Sequence, residues 1–171
     1  MRPTDRTLRR VVVVLLATLL CPPGSHAQAA GPSPSPAPAL ATGDKVPAFD
    51  AEGIDGVAKH VAFPAKSSTV LLFFLSSCPV CHRMIPLWND AYSRRPRQLQ
   101  VVGVLLDRES PEFFTMTPIQ FPVVRSPGRS VLDAYKINHV PVTLRVGPGG
   151  RVEDLGQGTL DGIRLGEIFR P

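Results

Sequence analysis

Apolar runs broken by proline, glycine and serine divide this chain into segments of two kinds, period-two or continuous runs and stretches of helical period. Thr69-Val-Leu-Leu-Phe-Phe-Leu75 is apolar at every position after the first, the pattern of a strand buried on both faces of a sheet. Ser76 and Ser77 break that run. From His82 onward Met84, Ile85, Leu87, Trp88, Ala91 and Tyr92 recur at spacings of three and four, the apolar stripe of a helix. Pro86 predicts a kink in its first turns rather than a stop, and Pro96 marks its end. Gln100–Asp107 reads as a second buried strand, finishing on an acid at the sheet's edge. Ser110-Pro111-Glu112 has the order of a helix start: cap, proline at the first position, acid in the first turn. It leads into Phe113, Phe114 and Met116 until Pro118.

Downstream, Phe121–Val124 predicts a short strand, and Ser126-Pro127 caps a helix through Val131, Leu132, Ala134 and Tyr135. Ile137–Val146 reads as a strand with Pro141 in its first half. Gly147-Pro-Gly-Gly150 turns it into Arg151–Leu155 as an antiparallel hairpin. Leu160–Phe169 closes the chain as an amphipathic helix. Upstream, Val57–Phe63 predicts one more strand, with Val46 and Phe49 as anchors of the domain's start. The succession of strands and helices gives an α/β domain, a central mixed sheet with helices on both faces, and no internal repeat. A proline inside a strand conflicts with a regular ladder. A cis peptide before Pro141 would resolve that conflict.

Length and composition add an address. Arg2, Arg6, Arg9 and Arg10 precede the apolar block Val11–Leu20, the arrangement of a secretory signal peptide over residues 1–27. As a helix the block spans about 16 Å, too short for a hydrocarbon core of about 30 Å. Small residues suit cleavage after Ala27 or Ala29. Leu20 before Cys21 is too large for lipoprotein processing, so Cys21 leaves with the signal. Residues 28–42 follow as a Pro/Ser/Ala-rich linker, which leaves a membrane tether open, and the folded domain is expected over residues 43–171. Removing residues 1–27 takes four Arg and one Asp from 19 basic and 14 acidic residues, so the net charge falls from +5 to 15 − 13 = +2. A nucleic-acid partner thereby loses its compositional support. Arg94, Arg95 and Arg97 remain as a basic cluster at a helix end, read as compensation of the dipole.

Two cysteines are left in the exported form, Cys78 and Cys81, separated by Pro79 and Val80 where strand gives way to helix. A disulfide closing so short a loop constrains little of the unfolded chain, so the pair is made for chemistry rather than for stability. The first cysteine of such a pair lies at a helix N-terminus, where free N–H groups and the positive dipole end favour a thiolate.

These residues resemble the thioredoxin superfamily. The carriers are Phe73-Phe-Leu-Ser-Ser-Cys78-Pro-Val-Cys81-His-Arg-Met-Ile-Pro86 and the later Val140-Pro141-Val-Thr143. The opening Gly43–Phe49 and Leu132–Ile137 are similar to the exported TlpA/ResA-like branch, closest to MauD-type proteins. The resemblance implies a thioredoxin-like fold and a thiol–disulfide oxidoreductase with no cofactor beyond a redox-active Cys78–Cys81 disulfide. It makes Cys78 the attacking thiol, Cys81 the resolving thiol, and Pro141 a cis-proline packed against them. Val140 then offers backbone groups to a substrate, with Pro79 and Val80 beside it and His82 as a possible helper; His139 borders the site. The implied partners are a periplasmic client, such as an apocytochrome c or a dehydrogenase subunit, and a membrane thiol donor or acceptor, with the protein itself a monomer.

This sequence departs from the pattern in three places. Ser77 replaces the tryptophan that commonly precedes the first cysteine, Leu72 the buried carboxylate six positions before it, and Met84 the acid three after the second. With no buried acid, proton transfer to and from Cys81 falls to water, His82 or substrate groups, which points to a client-directed pair rather than a general reductase. The alternative is a copper(I)-binding metallochaperone of the same fold, using soft thiolates and a histidine. A peroxidase lacks support because Leu75 stands three residues before Cys78.

Overall fold

The computed structural model describes residues 39–110 and 112–171; the expected signal peptide and all but the end of the linker lie outside the described residues. The five-stranded sheet is organised about β3 (Thr69–Phe74), in which every residue is buried. Its parallel neighbour is β4 (Gln100–Leu105), with Phe73 opposite Val104, and its antiparallel neighbour is β6 (Val142–Val146), with Phe73 opposite Val142. β5 (Val123–Arg125) and β7 (Val152–Gln157) form the edges, giving the order β5-β4-β3-β6-β7. A separate antiparallel pair, β1 (Phe49–Glu52) and β2 (Ala58–Val61), precedes them.

Because side chains alternate along β3, Val70, Leu72 and Phe74 enter one apolar layer and Leu71 and Phe73 the other. The first layer is closed by α1 (Pro79–Arg94) and α4 (Gly162–Ile168), through Met84, Ile85, Trp88, Leu165 and Ile168, with Phe113 from the one-turn α2 (Phe113–Met116). The second is closed by Tyr135 at the end of α3 (Arg129–Ala134), by Phe49 and Val61 of the small hairpin, and by Leu40. Leu40 shows that packing begins before Gly43, inside the segment read as linker. Helices cover both faces of a mixed sheet, a thioredoxin-like α/β fold, as the order of elements predicted.

Several local expectations are corrected. The Val140–Pro141 peptide is cis and β6 starts at Val142, so the proline lies before the strand rather than inside it. That removes the conflict with the ladder, since a residue without an N–H stands outside it. Ser110 and Ser126 do not cap their helices: α2 starts after Glu112 and α3 after Gly128, and neither has a side-chain cap. Gly128 takes φ 96°, a left-handed conformation that glycine adopts without a Cβ clash, and this sets the start of α3. β5 starts two residues later than its apolar run, and Ile163 in the last helix is 78% exposed. β4 is an interior strand, in keeping with its continuous apolar run, and the acid after it stands at the edge of the sheet where the parallel strands end.

α1 is locked to the sheet by a polar bond inside the core. The indole N–H of Trp88 donates to Thr143 Oγ1 at 3.0 Å, both residues being buried. Thr143→Val keeps the shape but orphans that donor, and a buried donor without a partner costs about 1–3 kcal/mol. Urea unfolding followed by the fluorescence of the single tryptophan should show the midpoint fall with an unchanged slope. An unaltered midpoint would mean the bond contributes nothing.

Candidate active site

The site forms where β3 ends. Leu75, Ser76 and Ser77 carry the chain from the sheet to Cys78, which is the N-cap of α1. The backbone N–H of Cys81, one of the helix's unpaired first-turn donors, points at the Cys78 sulfur and donates to it at 3.2 Å. Both cysteines are free thiols, and they differ in environment. Cys78 is half-buried at the surface, whereas Cys81 is fully buried against the α1 side of the core. Burial pushes the Cys81 thiol up to about 12, and the hydrogen bond and charge of Cys78 push the same way. Asp107 adds a smaller repulsion.

Asp107 is the residue that the sequence reading missed. It follows β4, and because β3 and β4 are parallel their C-terminal ends meet at one edge of the sheet. There its carboxylate accepts four hydrogen bonds from the two serines before Cys78. These come from the Ser76 N–H at 2.7 Å, the Ser76 hydroxyl at 3.0 Å, the Ser77 N–H at 3.1 Å and the Ser77 hydroxyl at 2.9 Å. Partial desolvation pushes this carboxyl upward, but the four donors outweigh it and hold Asp107 below the usual carboxylate range. The pair therefore has an acid in its surroundings after all, supplied by the neighbouring strand rather than by position 72 or 84. An acid just past a strand parallel to the cysteine strand was the available signal, since such strands deliver their ends to one place.

His82 Nε2 lies 2.6 Å from the Ser76 carbonyl oxygen and its ring meets Phe113 edge-on, so it braces the same loop. With Phe73 opposite Val142, the register sets Val140 and Pro141 beside Phe74 and Leu75, directly before the serines. The Pro141 carbonyl accepts from the Gly158 N–H at 2.9 Å, which fixes the loop to the end of β7. A groove of about 360 Å³ opens next to Val140, floored by Leu75, Leu106 and Ile137 and bordered by Arg129, Asp133, Asn138 and His139. Pro79 is exposed and Val80 half-buried in the first turn of α1. The structure thus brings Cys78 and Cys81 together and sets Val140 and Pro141 opposite the end of β3 that leads to them. Among the described residues, no group of three or more His, Cys, Asp or Glu side chains is placed to hold a metal.

A thioredoxin-like sheet with paired thiols of unequal exposure at the end of its central strand defines a thiol–disulfide oxidoreductase. Relatives agree with that class. The thiol-disulfide oxidoreductase ResA of Oceanobacillus iheyensis is 28% identical over 131 residues, spanning 72% of this chain and 68% of the relative. ResA of Bacillus subtilis is 26% identical over 125 residues, spanning 71% and 70%. Among solved structures, a thiol:disulfide interchange protein of DsbE type from Chlorobium tepidum superposes with a TM-score of 0.60 at 24% identity, over 74% of this chain and 92% of that one. Residues 42–155, well over half of the sequence, match the AhpC/TSA family, and the chain belongs to that family.

The clamp on the two serines has a measurable weight. Asp107→Asn should lower stability at neutral pH by about 1–3 kcal/mol, as expected for hydrogen bonds to a charged acceptor. A carboxyl whose folded-state pKa is depressed stabilises above its unfolded value, near 4, and loses that contribution as pH falls through the folded value. The variant should therefore lose less stability than the parent between neutral pH and about pH 3. Parallel urea titrations of the reduced proteins check this, and superimposable curves at neutral pH would dismiss the clamp.

Proposed function

We propose that the protein is exported and exchanges thiols and disulfides with cysteines of a client protein outside the cytoplasm. The supporting observation is the asymmetry of the pair: one sulfur at the surface holding an amide hydrogen bond, the other buried and kept protonated. Residues 1–27 serve as the signal peptide and residues 28–42 as the linker, with a retained membrane tether as the other form of the same reading. No cofactor is required beyond the Cys78–Cys81 couple, and the protein acts as a monomer.

In the reducing direction the Cys78 thiolate attacks one sulfur of a client disulfide. That disulfide breaks, the second client sulfur leaves as a thiolate, and a mixed disulfide joins client to Cys78. Two of the influences that hold Cys81 protonated, the charge of Cys78 and its hydrogen bond, end at that moment, leaving burial and the Asp107 charge. Cys81 then gives up its proton to the departing client thiolate or to water and attacks Cys78. The bond between Cys78 and the client breaks, and the client sulfurs take up from water any proton they still lack. The client leaves with two thiols, having gained two electrons, and the protein is left with the Cys78–Cys81 disulfide. A membrane thiol donor restores the pair, and the reverse sequence oxidises a client. Val140 supplies backbone groups to an extended client segment ahead of Pro141, while Pro79, Val80 and the groove beside His139 take its side chains. His82, held by the Ser76 carbonyl, keeps the loop in place rather than moving the proton.

Cys81→Ala expressed with the natural leader should accumulate mixed disulfides between Cys78 and exported proteins, separable by reducing and non-reducing electrophoresis, and Cys78→Ala should accumulate none. Copper(I) bound by the purified wild type, with no trapped client, would replace this reading with that of a metal carrier. In alkylation of the reduced protein near neutral pH, Cys78 should react at least tenfold faster than Cys81, because Cys81 is buried and its thiol is pushed up by that burial. Equal rates would remove the asymmetry on which the assignment rests.

A further inference from the structure

At the end of the domain remote from the cysteines lies a cationic surface that thiol exchange does not use. α1 starts beside the pair and ends at Arg94 after 16 residues, a length of about 24 Å. Between the ends of α1 and α4 lies a groove of about 340 Å³, with Ala91, Pro96, Gly166 and Phe169 as its floor and Arg94, Arg95 and Arg170 around it. Two adjoining hollows share its residues, one bringing Lys66 and Arg145 beside Arg170, the other bringing Arg97 beside Arg95. Against these six cations stand two carboxylates, Asp90 paired with Arg94 and Glu153 paired with Arg145, a surplus of 6 − 2 = +4. Residues 39–171 as a whole carry 15 − 13 = +2, so everything else in the domain sums to −2. A terminal carboxylate at Pro171 would lower the surplus to three without changing its sign.

Compensation of helix dipoles explains part of this charge. Arg95 donates to the Tyr92 carbonyl at the end of α1, and Arg145 to the carbonyls of Ile168 and Arg170 at the end of α4. It does not explain Lys66, Arg97 and Arg170, which have no carboxylate partner among the ion pairs of the described residues. Nor does it explain the Arg95 Nε–H, which is buried without an acceptor while its guanidinium lies 3.5 Å over the Tyr92 ring. Guanidinium groups round a rim and an apolar floor together suit an amphiphile with an anionic phosphodiester head. A nucleic-acid backbone offers phosphates but nothing apolar to set against Pro96 and Gly166, the accessible part of the groove's floor.

The geometry points to a phospholipid-docking face: this groove takes the phosphodiester headgroup of anionic lipids and seats the domain on a bilayer with Cys78 and Cys81 directed away from it. The route of the chain agrees. Gly43 and Val46 donate to the carbonyls of Val152 and Gly150, at the end of the sheet where Val146 meets Thr69. Gly43 to Val46 therefore lie at the same end of the domain as the cationic face. The inference does not depend on the direction or the client of thiol exchange.

Full-length wild type and Lys66→Gln/Arg97→Gln/Arg170→Gln are compared for co-sedimentation with vesicles of pure phosphatidylcholine and of phosphatidylcholine containing one-third phosphatidylglycerol. The apolar block Val11–Leu20 is common to both proteins, so the readout is the gain on adding the anionic lipid. Wild type should bind the anionic vesicles more tightly. The triple variant should lose roughly fivefold per charge, on the order of a hundredfold in all, and raised salt should erase the difference. An unchanged rate of dithiothreitol oxidation by the variant's disulfide form confirms that it is folded. The proposal is overturned by equal binding of the two proteins to anionic vesicles, or by no wild-type preference for them. Displacement of wild type from the vesicles by millimolar inorganic phosphate would make the groove a free-anion site and overturn it too. So would duplex DNA binding more tightly than vesicles at the same salt.

Discussion

Burial of Thr69–Phe74 on both faces at once is the constraint to which the remainder of the domain answers. A strand in that position needs a hydrogen-bonded partner on each side and an apolar layer above and below. β4 and β6 provide the first; α1 and α4, and opposite them Tyr135, Phe49 and Val61, provide the second. The tight packing leaves little freedom at its neighbours. At Gly103, beside Leu72 in β4, a Cβ would stand 2.8 Å from the Phe121 ring, so the strand accepts no side chain there. Such a strand must also end abruptly, because the next residues have to leave the core and reach a helix that packs on it. Cys78 occupies that exit, which is why its sulfur is fixed in position yet reachable.

The chemistry of the pair follows from the direction of the neighbouring strands. Parallel pairing of β3 and β4 delivers Asp107 to Ser76 and Ser77, and antiparallel pairing of β3 and β6 delivers Val140 and Pro141 to the other side. The acid serves the loop first, through four hydrogen bonds, and the thiols second, through its field. It bears on Cys81 in the sense that disfavours ionisation of that thiol. Its placement differs from an acid buried beneath the thiols: tied to the serines, it holds the loop that carries Cys78.

The two ends of the domain thus have different characters. At one, thiols, serines, a histidine and an apolar groove converge. At the other, two helices terminate together, and their carbonyl ends draw arginine into a cluster that exceeds what those ends require. Sixteen residues of α1 separate the two ends, so an attachment at the cationic end leaves the thiols unobstructed.

Reading the sequence alone was enough for the elements with strong local patterns: the apolar run of β3, the three-and-four spacing of α1 and the hairpin at Gly147–Gly150. Those patterns arise from contacts within a few residues, or from burial that every position in a run must share. It was also enough to single out Cys78 and Cys81 as the only cysteine pair at a strand–helix junction. The starts of α2 and α3 were misplaced because serine before proline is a capping signal only if the backbone takes the conformation that the cap needs, and at Gly128 glycine set it instead. Asp107 read only as the acid that ends a buried strand, because nothing local reveals which strand lies beside β4. Its bonds to Ser76 and Ser77 span about thirty positions and exist only once β3 and β4 are parallel. The unequal burial of the two sulfurs is of the same kind. Spacing puts both cysteines at a helix start, but only the packing of α1 on the sheet decides that Cys81 faces the core and Cys78 the solvent.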